Sequence, residues 1–134
     1  MLPGVRRFIK TMKGIGIDII EIGRIRAAVD NYGEKFLRRV FSTSEIKYCT
    51  RQKVYRVPEL AVRFAAKEAY SKAIGTGIKG FGRPNRGVGW LDIEVGNNQD
   101  GKPHILFKGK LLANVQVSLS HSRDYAVASV YVES

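Results

Sequence analysis

The chain has 134 residues, 44% hydrophobic and 26% charged, the size and balance of one globular domain rather than a disordered chain. Its longest apolar runs are only a few residues, which leaves out a transmembrane helix, and its one cysteine, Cys49, leaves out an internal disulfide and a multi-cysteine metal site. The net charge of +11 sits in two blocks, residues 1–13 with four bases and no acid and residues 51–90 with nine bases and two acids, so an anionic partner is expected: nucleic acid, a phosphorylated small molecule or an acidic protein.

Residues 1–12 are expected to be a basic N-terminal extension, and residues 13–134 a single domain. No signal-peptide pattern opens the chain, so the cytoplasm is the expected location. Ile15, Ile17 and Ile19 alternate with Gly16, Asp18 and Ile20, the period of two that predicts a strand. From Glu21 the spacing of Ile22, Ile25, Val29 and Tyr32 becomes helical, and Gly33 can end that helix. Phe36, Leu37, Val40 and Phe41 predict a second short helix. Ser42-Thr43-Ser44-Glu45 matches a capping box and opens a third, through about Cys49. Pro58 and Glu59 suit the first turn of a long helix that runs through Ile74, where Gly75 and Gly77 can stop it. Its Val62, Ala66, Ala69 and Ala73 form a stripe of small apolar residues. Residues 75–90 hold six glycines with Lys79, Arg83 and Arg86, a basic loop. Leu91–Val95 and His104–Lys108 are expected to pair around the Asn97–Gly101 turn, and Val115–Leu119 with Tyr125–Val132 around His121–Asp124. Helices fall in the first half and strands in the second, which favours an α+β fold with helices packed on a mainly antiparallel sheet.

Four places could carry chemistry. Asp18 is a carboxylate in a strand of isoleucines, where Asp forms strands poorly and needs a compensating partner. In Arg63–Lys72, Glu68 and Lys72 lie one helical turn apart, a spacing that also describes an ordinary solvated pair. A single acid among so many bases makes sense if it holds a divalent cation beside a phosphate. The glycines after that helix would let backbone N–H groups approach a phosphate, although the spacing is not the G-x-x-x-x-G-K-[ST] phosphate loop and no strand-loop-helix order supports a dinucleotide fingerprint. His121 lies among Ser118, Ser120 and Ser122 and could bind phosphate or act as a base, but no nucleophile elbow supports a hydrolase triad. Cys49 is expected to be a helix residue rather than a nucleophile.

Three stretches together are specific. Gly14-Ile15-Gly16-Ile17-Asp18-Ile19-Ile20-Glu21 through Ile25, then Arg63-Phe64-Ala65-Ala66-Lys67-Glu68-Ala69-Tyr70-Ser71-Lys72 through Ile78, then Val117-Ser118-Leu119-Ser120-His121 through Ala128 resemble the signatures of the short, bacterial-type 4′-phosphopantetheinyl transferases, the holo-acyl-carrier-protein synthases. The resemblance covers residues 13–132. It implies transfer of the 4′-phosphopantetheine arm of coenzyme A to a serine of apo acyl carrier protein, with Mg²⁺, in a homotrimer whose active sites lie between subunits. It implies that Asp18 and Glu68 bind the metal, that Glu68 or a water takes the serine proton, and that Lys72 reaches the phosphates. Arg63, Lys67, Gly75, Gly77 and His121 match positions associated with coenzyme A. Arg24 falls on the matched carrier-docking helix, and Arg26 joins it by charge and position. The loop Lys79–Gly89 is longer and more basic than the family pattern, and Lys108–Asn114 is shorter than the helix expected there. The competing readings are a basic nucleic-acid-binding domain, which gives Asp18 and Glu68 no role and shows no stacking or helix-turn-helix motif, and a silent carrier-binding relative. On the leading reading neither nucleic acid nor a membrane is a partner.

Overall fold

The computed structural model describes residues 12–79 and 87–134. Residues 1–11 of the expected N-terminal extension and the middle of the basic loop, with Arg83 and Arg86, lie outside the described residues; Met12, the last residue of that extension, belongs to the first strand, opposite Glu133. In chain order the elements are β1 (Met12–Glu21), α1 (Ile22–Tyr32), α2 (Glu34–Val40), α3 (Thr43–Tyr48), β2 (Thr50–Arg51), β3 (Val54–Tyr55), α4 (Val57–Ala73), β4 (Ile93–Asn97), β5 (Pro103–Phe107), β6 (Lys110–Leu111), β7 (Val115–His121) and β8 (Tyr125–Glu133).

All strand pairs in these elements are antiparallel. One sheet has the order β1-β8-β7 and another β4-β5-β6, with β2 and β3 as a separate hairpin. The two expected hairpins form, and the fold is α+β. The first strand pairs with the last, Ile15 opposite Tyr131 and Ile19 opposite Val127, a match across the whole domain that no local pattern announces. The β2–β3 hairpin was not expected; its turn residues Gln52 and Lys53 both take positive φ, 52° and 65°. The fourth strand starts two residues later than predicted. Trp90–Asp92 form a 3-10 turn because the Asp92 carboxylate accepts the Gly89 N–H at 2.9 Å.

Helix α4 lies against the β1-β8-β7 sheet. Its Ala65, Ala66 and Ala69 pack in one core cluster with Ile105, Val117 and Val130, and its Leu60 and Ala61 join α1 and α2 in a second with Ile22, Ile25 and Leu37. The stripe of small residues has a partner stripe on β1. A Cβ placed on Gly14 would overlap the carbonyl oxygen of Ala73, and one on Gly16 that of Ala69. Backbone therefore meets backbone, and this brings Asp18, on the same face of β1, against α4. Gly16→Ala is expected to cost about 3 kcal/mol, the upper end for overpacked cores, because the obstacle is a carbonyl and not a movable side chain. Urea unfolding checks this; an unchanged midpoint would mean that β1 does not depend on the close approach.

The other face of β1 is bare. Ile15, Ile17 and Ile19 are 61%, 63% and 64% exposed, so the isoleucine alternation that marks the strand serves no core among the described residues. At its far end α4 stops as its sequence directs. The Thr76 and Gly77 N–H groups both donate to the Ser71 carbonyl at 3.1 Å, and Gly75 and Gly77 supply φ of 81° and 72°.

Candidate active site

Asp18 on β1 and Glu68 and Lys72 on α4 come together where strand and helix touch. The Lys72 Nζ donates to Asp18 Oδ1 at 2.9 Å and to the Ile17 carbonyl at 3.1 Å. Lys72 therefore pairs across to β1 rather than along its own helix with Glu68. This pairing supplies the compensation that an Asp in a strand requires. The Glu68 carboxylate is half-buried and makes no hydrogen bond or ion pair among the described residues. Burial pushes its carboxyl above the ordinary range, the Asp18 charge pushes the same way, and Lys72 opposes both. A half-buried carboxylate without a protein donor, next to a second carboxylate and an ammonium, is a candidate functional site.

No group of three or more His, Cys, Asp or Glu side chains assembles among the described residues, so a cage built from protein alone is not present there. Mg²⁺ does not need one. It is commonly held by one or two carboxylates, with water and substrate phosphate oxygens completing its octahedron. Asp18 and Glu68 fit that demand, and the unpartnered state of Glu68 leaves its oxygens free.

A second group gathers around Arg63, at the other end of α4. The Arg63 side chain is almost fully buried. Its Nη1 donates to the Glu59 carbonyl at 3.0 Å and to Glu59 Oε2 at 3.2 Å, and its Nη2 donates to Asn97 Oδ1 at 2.8 Å. Its Nε is buried and has no hydrogen-bond partner. The guanidinium lies 4.3 Å from the centre of the Tyr48 ring. It borders a cavity of about 400 Å³ whose rim includes Tyr48, Asn97, Ser118, Ser120 and His121. His121 Nε2 stands 3.8 Å from Glu59 Oε1. The sequence placed Arg63 and His121 here by motif alone, and it missed Tyr48 and Asn97; Asn97 read only as part of a turn.

Lys67 requires a correction. It was expected among the contacts to coenzyme A, but its side chain is 0% exposed and its ammonium has no N–H to spare. Nζ donates to Glu45 Oε1 at 2.7 Å, to the Val40 carbonyl at 2.7 Å and to the Trp90 carbonyl at 3.1 Å. Burial lowers its pKa, against the pull of Glu45. The physical reason is helical phase: Lys67 is one residue before Glu68 and so points about 100° away from it, into the protein. Gly75 and Gly77 do lie at the end of α4 just past Lys72, in the turn already described.

Arg24 and Arg26 are both exposed on α1. Arg24 joins Phe36, Arg39, Phe64 and Trp90 around a hollow of about 480 Å³, and a neighbouring one of about 580 Å³ is lined by Tyr32, Lys35, Phe36 and Arg39. Arg26 lines neither. The sequence missed α2 as part of this basic and aromatic groove; the signal was the bases at 35, 38 and 39 on either side of buried Leu37. Cys49 is fully buried and its thiol is pushed up to about 11, mainly by that burial, which makes it inert as a nucleophile at neutral pH.

The family model described as the 4′-phosphopantetheinyl transferase superfamily matches residues 14–130. A holo-[acyl-carrier-protein] synthase of Koribacter versatilis is 44% identical over 128 residues, covering 90% of this chain and 97% of that protein. A crystal structure of a holo-(acyl-carrier-protein) synthase from Bacillus anthracis in complex with CoA (3',5'-ADP) superimposes with a TM-score of 0.75 at 42% identity, covering 94% of this chain and 99% of the other. One from Helicobacter pylori, in complex with coenzyme A, gives 0.72 at 33% identity, with 90% and 99% covered. The chain belongs to the 4′-phosphopantetheinyl transferase superfamily. Within it, the holo-[acyl-carrier-protein] synthases are the proteins it resembles over nearly its full length.

Proposed function

We propose that the chain transfers the 4′-phosphopantetheine group of coenzyme A to a serine hydroxyl of an apo acyl carrier protein, with Mg²⁺, and releases adenosine 3′,5′-bisphosphate. The observation that carries this reading is the Asp18–Lys72 contact beside an unpartnered, half-buried Glu68. The serine oxygen bonds to the phosphorus that bears the pantetheine arm. The bond from that phosphorus to the bridging pyrophosphate oxygen breaks, and the serine proton leaves. Lys72 offers positive charge to the phosphates. Glu68 accepts the serine proton, directly or through an ordered water. Mg²⁺, held by Asp18 and Glu68, would supply offset for the charge that builds on the pyrophosphate oxygens. Arg63, with its unsatisfied Nε, and His121 are proposed to meet one phosphate of coenzyme A, and the Gly75–Gly77 turn, beside Lys72 at the opposite end of α4, to lie near another.

The proposed assembly is a homotrimer with active sites between subunits, in the cytoplasm. Two observations support the assembly. The bare isoleucine face of β1 is the kind of surface that monomers rarely leave open. The Asp18 cluster lies on β1, one edge of its sheet, while the Arg63–His121 cavity lies against β7, the other edge. Head-to-tail association in a ring puts one subunit's β1 edge near its neighbour's β7 edge. Sedimentation at micromolar concentration tests this, and a clean monomer would overturn it.

The groove of Arg24, Phe36 and Arg39 is proposed to receive the acidic carrier, with Arg26 at its margin. Arg39→Glu is expected to raise the KM for carrier about tenfold at low salt with little change in kcat, and the difference should shrink as salt rises. Steady-state kinetics at two ionic strengths check this; equal KM values would move docking elsewhere. The overall reading is tested by intact-protein mass spectrometry of apo acyl carrier protein incubated with the protein, coenzyme A and Mg²⁺, beside a chelator control. A gain of one phosphopantetheine, lost with chelator, supports both parts. No gain from folded protein with several carriers would sink the reading.

A further inference from the structure

Lys67 and Glu45 form a buried ion pair that the proposed chemistry does not use, and its connections are specific. Both side chains are 0% exposed. Besides Lys67, Glu45 Oε1 accepts the Ser42 N–H at 2.8 Å, and Oε2 accepts the Val95 N–H at 2.9 Å. The Ser42 hydroxyl in turn donates to Glu94 Oε1 at 2.5 Å. The other two acceptors of Lys67 are the carbonyls of Val40 and Trp90. Both of these residues line the groove that holds Arg24, Phe36 and Arg39. Trp90 also stacks on Phe64 of α4, ring centres 4.7 Å apart, at the same groove. Lys67 is adjacent in sequence to Glu68.

We propose that the Glu45–Lys67 pair is a positioning device that sets the distance and angle between the carrier-docking groove and Glu68. The inference rests on the transfer reaction proposed above. Burial of an ion pair does little for stability in itself, because an apolar pair of the same volume often serves as well. What an apolar pair cannot do is direct three N–H bonds at fixed angles to three separate elements. Here those elements are the last residue of α2, the 3-10 turn at Trp90, and α3, which Glu45 ties to β4. Each is a wall or support of the groove, and the donor belongs to the helix that carries Glu68. A serine on a docked protein reaches a phosphate on a separate substrate only if these two surfaces keep their spacing. Displacement of about 1 Å can cost about a hundredfold in rate without changing how tightly either substrate binds.

The test is the paired replacement Glu45→Gln with Lys67→Met, which removes both charges and keeps volume. Circular dichroism and thermal melting check the fold, calorimetry gives the dissociation constants of coenzyme A and of apo acyl carrier protein, and mass spectrometry gives kcat. The expected result is a fall in kcat of about tenfold or more with both dissociation constants within about twofold of the parent. A kcat within about twofold of the parent overturns the proposal. So does a loss in which kcat, both dissociation constants and the melting temperature move together, since that marks a merely structural role. Should the paired variant fail to fold, Ser42→Ala loosens the same cluster more gently, and a several-fold fall in kcat with both dissociation constants held is expected; an unchanged kcat there overturns it equally. A parent protein that binds coenzyme A but transfers nothing removes the function reading, and this inference with it, before any variant is compared.

Discussion

Glu68→Gln is expected to lower transfer about a thousandfold, within the usual contribution of a positioned acid–base group, while leaving the protein at least as stable as the parent at neutral pH in chelator. The second half follows from the sign of the titration. The Glu68 carboxyl is held above the ordinary range by burial and by Asp18, against Lys72. Between the ordinary value and the raised one, the folded protein binds more protons than the unfolded chain, so stability falls as pH rises through that window. Above it the whole cost of the charge is carried by the folded state, and Gln does not carry it. Loss of activity with retained or raised melting temperature would therefore separate a working acid from a structural one. Substantial transfer by the variant would end the assignment of Glu68, and a large drop in its melting temperature would show that the carboxylate stabilises the fold instead.

Lys67→Met alone is expected to lower stability by about 3–5 kcal/mol, because it leaves the Glu45 carboxylate buried without its counter-charge. Glu45 would keep the Ser42 and Val95 N–H groups, which solvate but do not neutralise it. Urea unfolding of the single and the paired variants measures both effects. Most of the loss should return in Glu45→Gln with Lys67→Met, since the destabilising element is the orphaned charge and not the missing bond. A single variant as stable as the parent would mean that water reaches Glu45. A paired variant no better than the single one would assign the stabilisation to the carbonyl contacts at Val40 and Trp90.

The contrast between Lys67 and Glu68 shows where sequence reasoning stops. Both belong to one signature and differ by one position. Motif matching treats them alike, whereas helical phase sends Lys67 to the interior and leaves Glu68 and Lys72 beside β1. Glu45 is a similar case. The capping box with Ser42 was legible and forms, with the Glu45 N–H donating to Ser42 Oγ at 3.2 Å. That the same carboxylate would also anchor Val95, fifty residues away, was not.

Sequence alone determined the features that depend on neighbours a few residues apart. These are α4 and its glycine stop, the helix start at Ser42, the two longer hairpins, the alternation of β1 and hence the placing of Asp18 opposite the isoleucines. The order of the three motifs also settled the family. Tertiary structure decided everything that depends on which surfaces meet: the pairing of β1 with β8, the partnership of Asp18 with Lys72, the inward turn of Lys67, the basic groove shared by α1 and α2, and the exposure of Ile15, Ile17 and Ile19. Periodicity and caps are local properties of the chain, readable within one or two turns. Burial and partnership are set by long-range packing, where the close approach of Gly14 and Gly16 to α4 leaves room for one arrangement of strand on helix and so chooses which charges face each other.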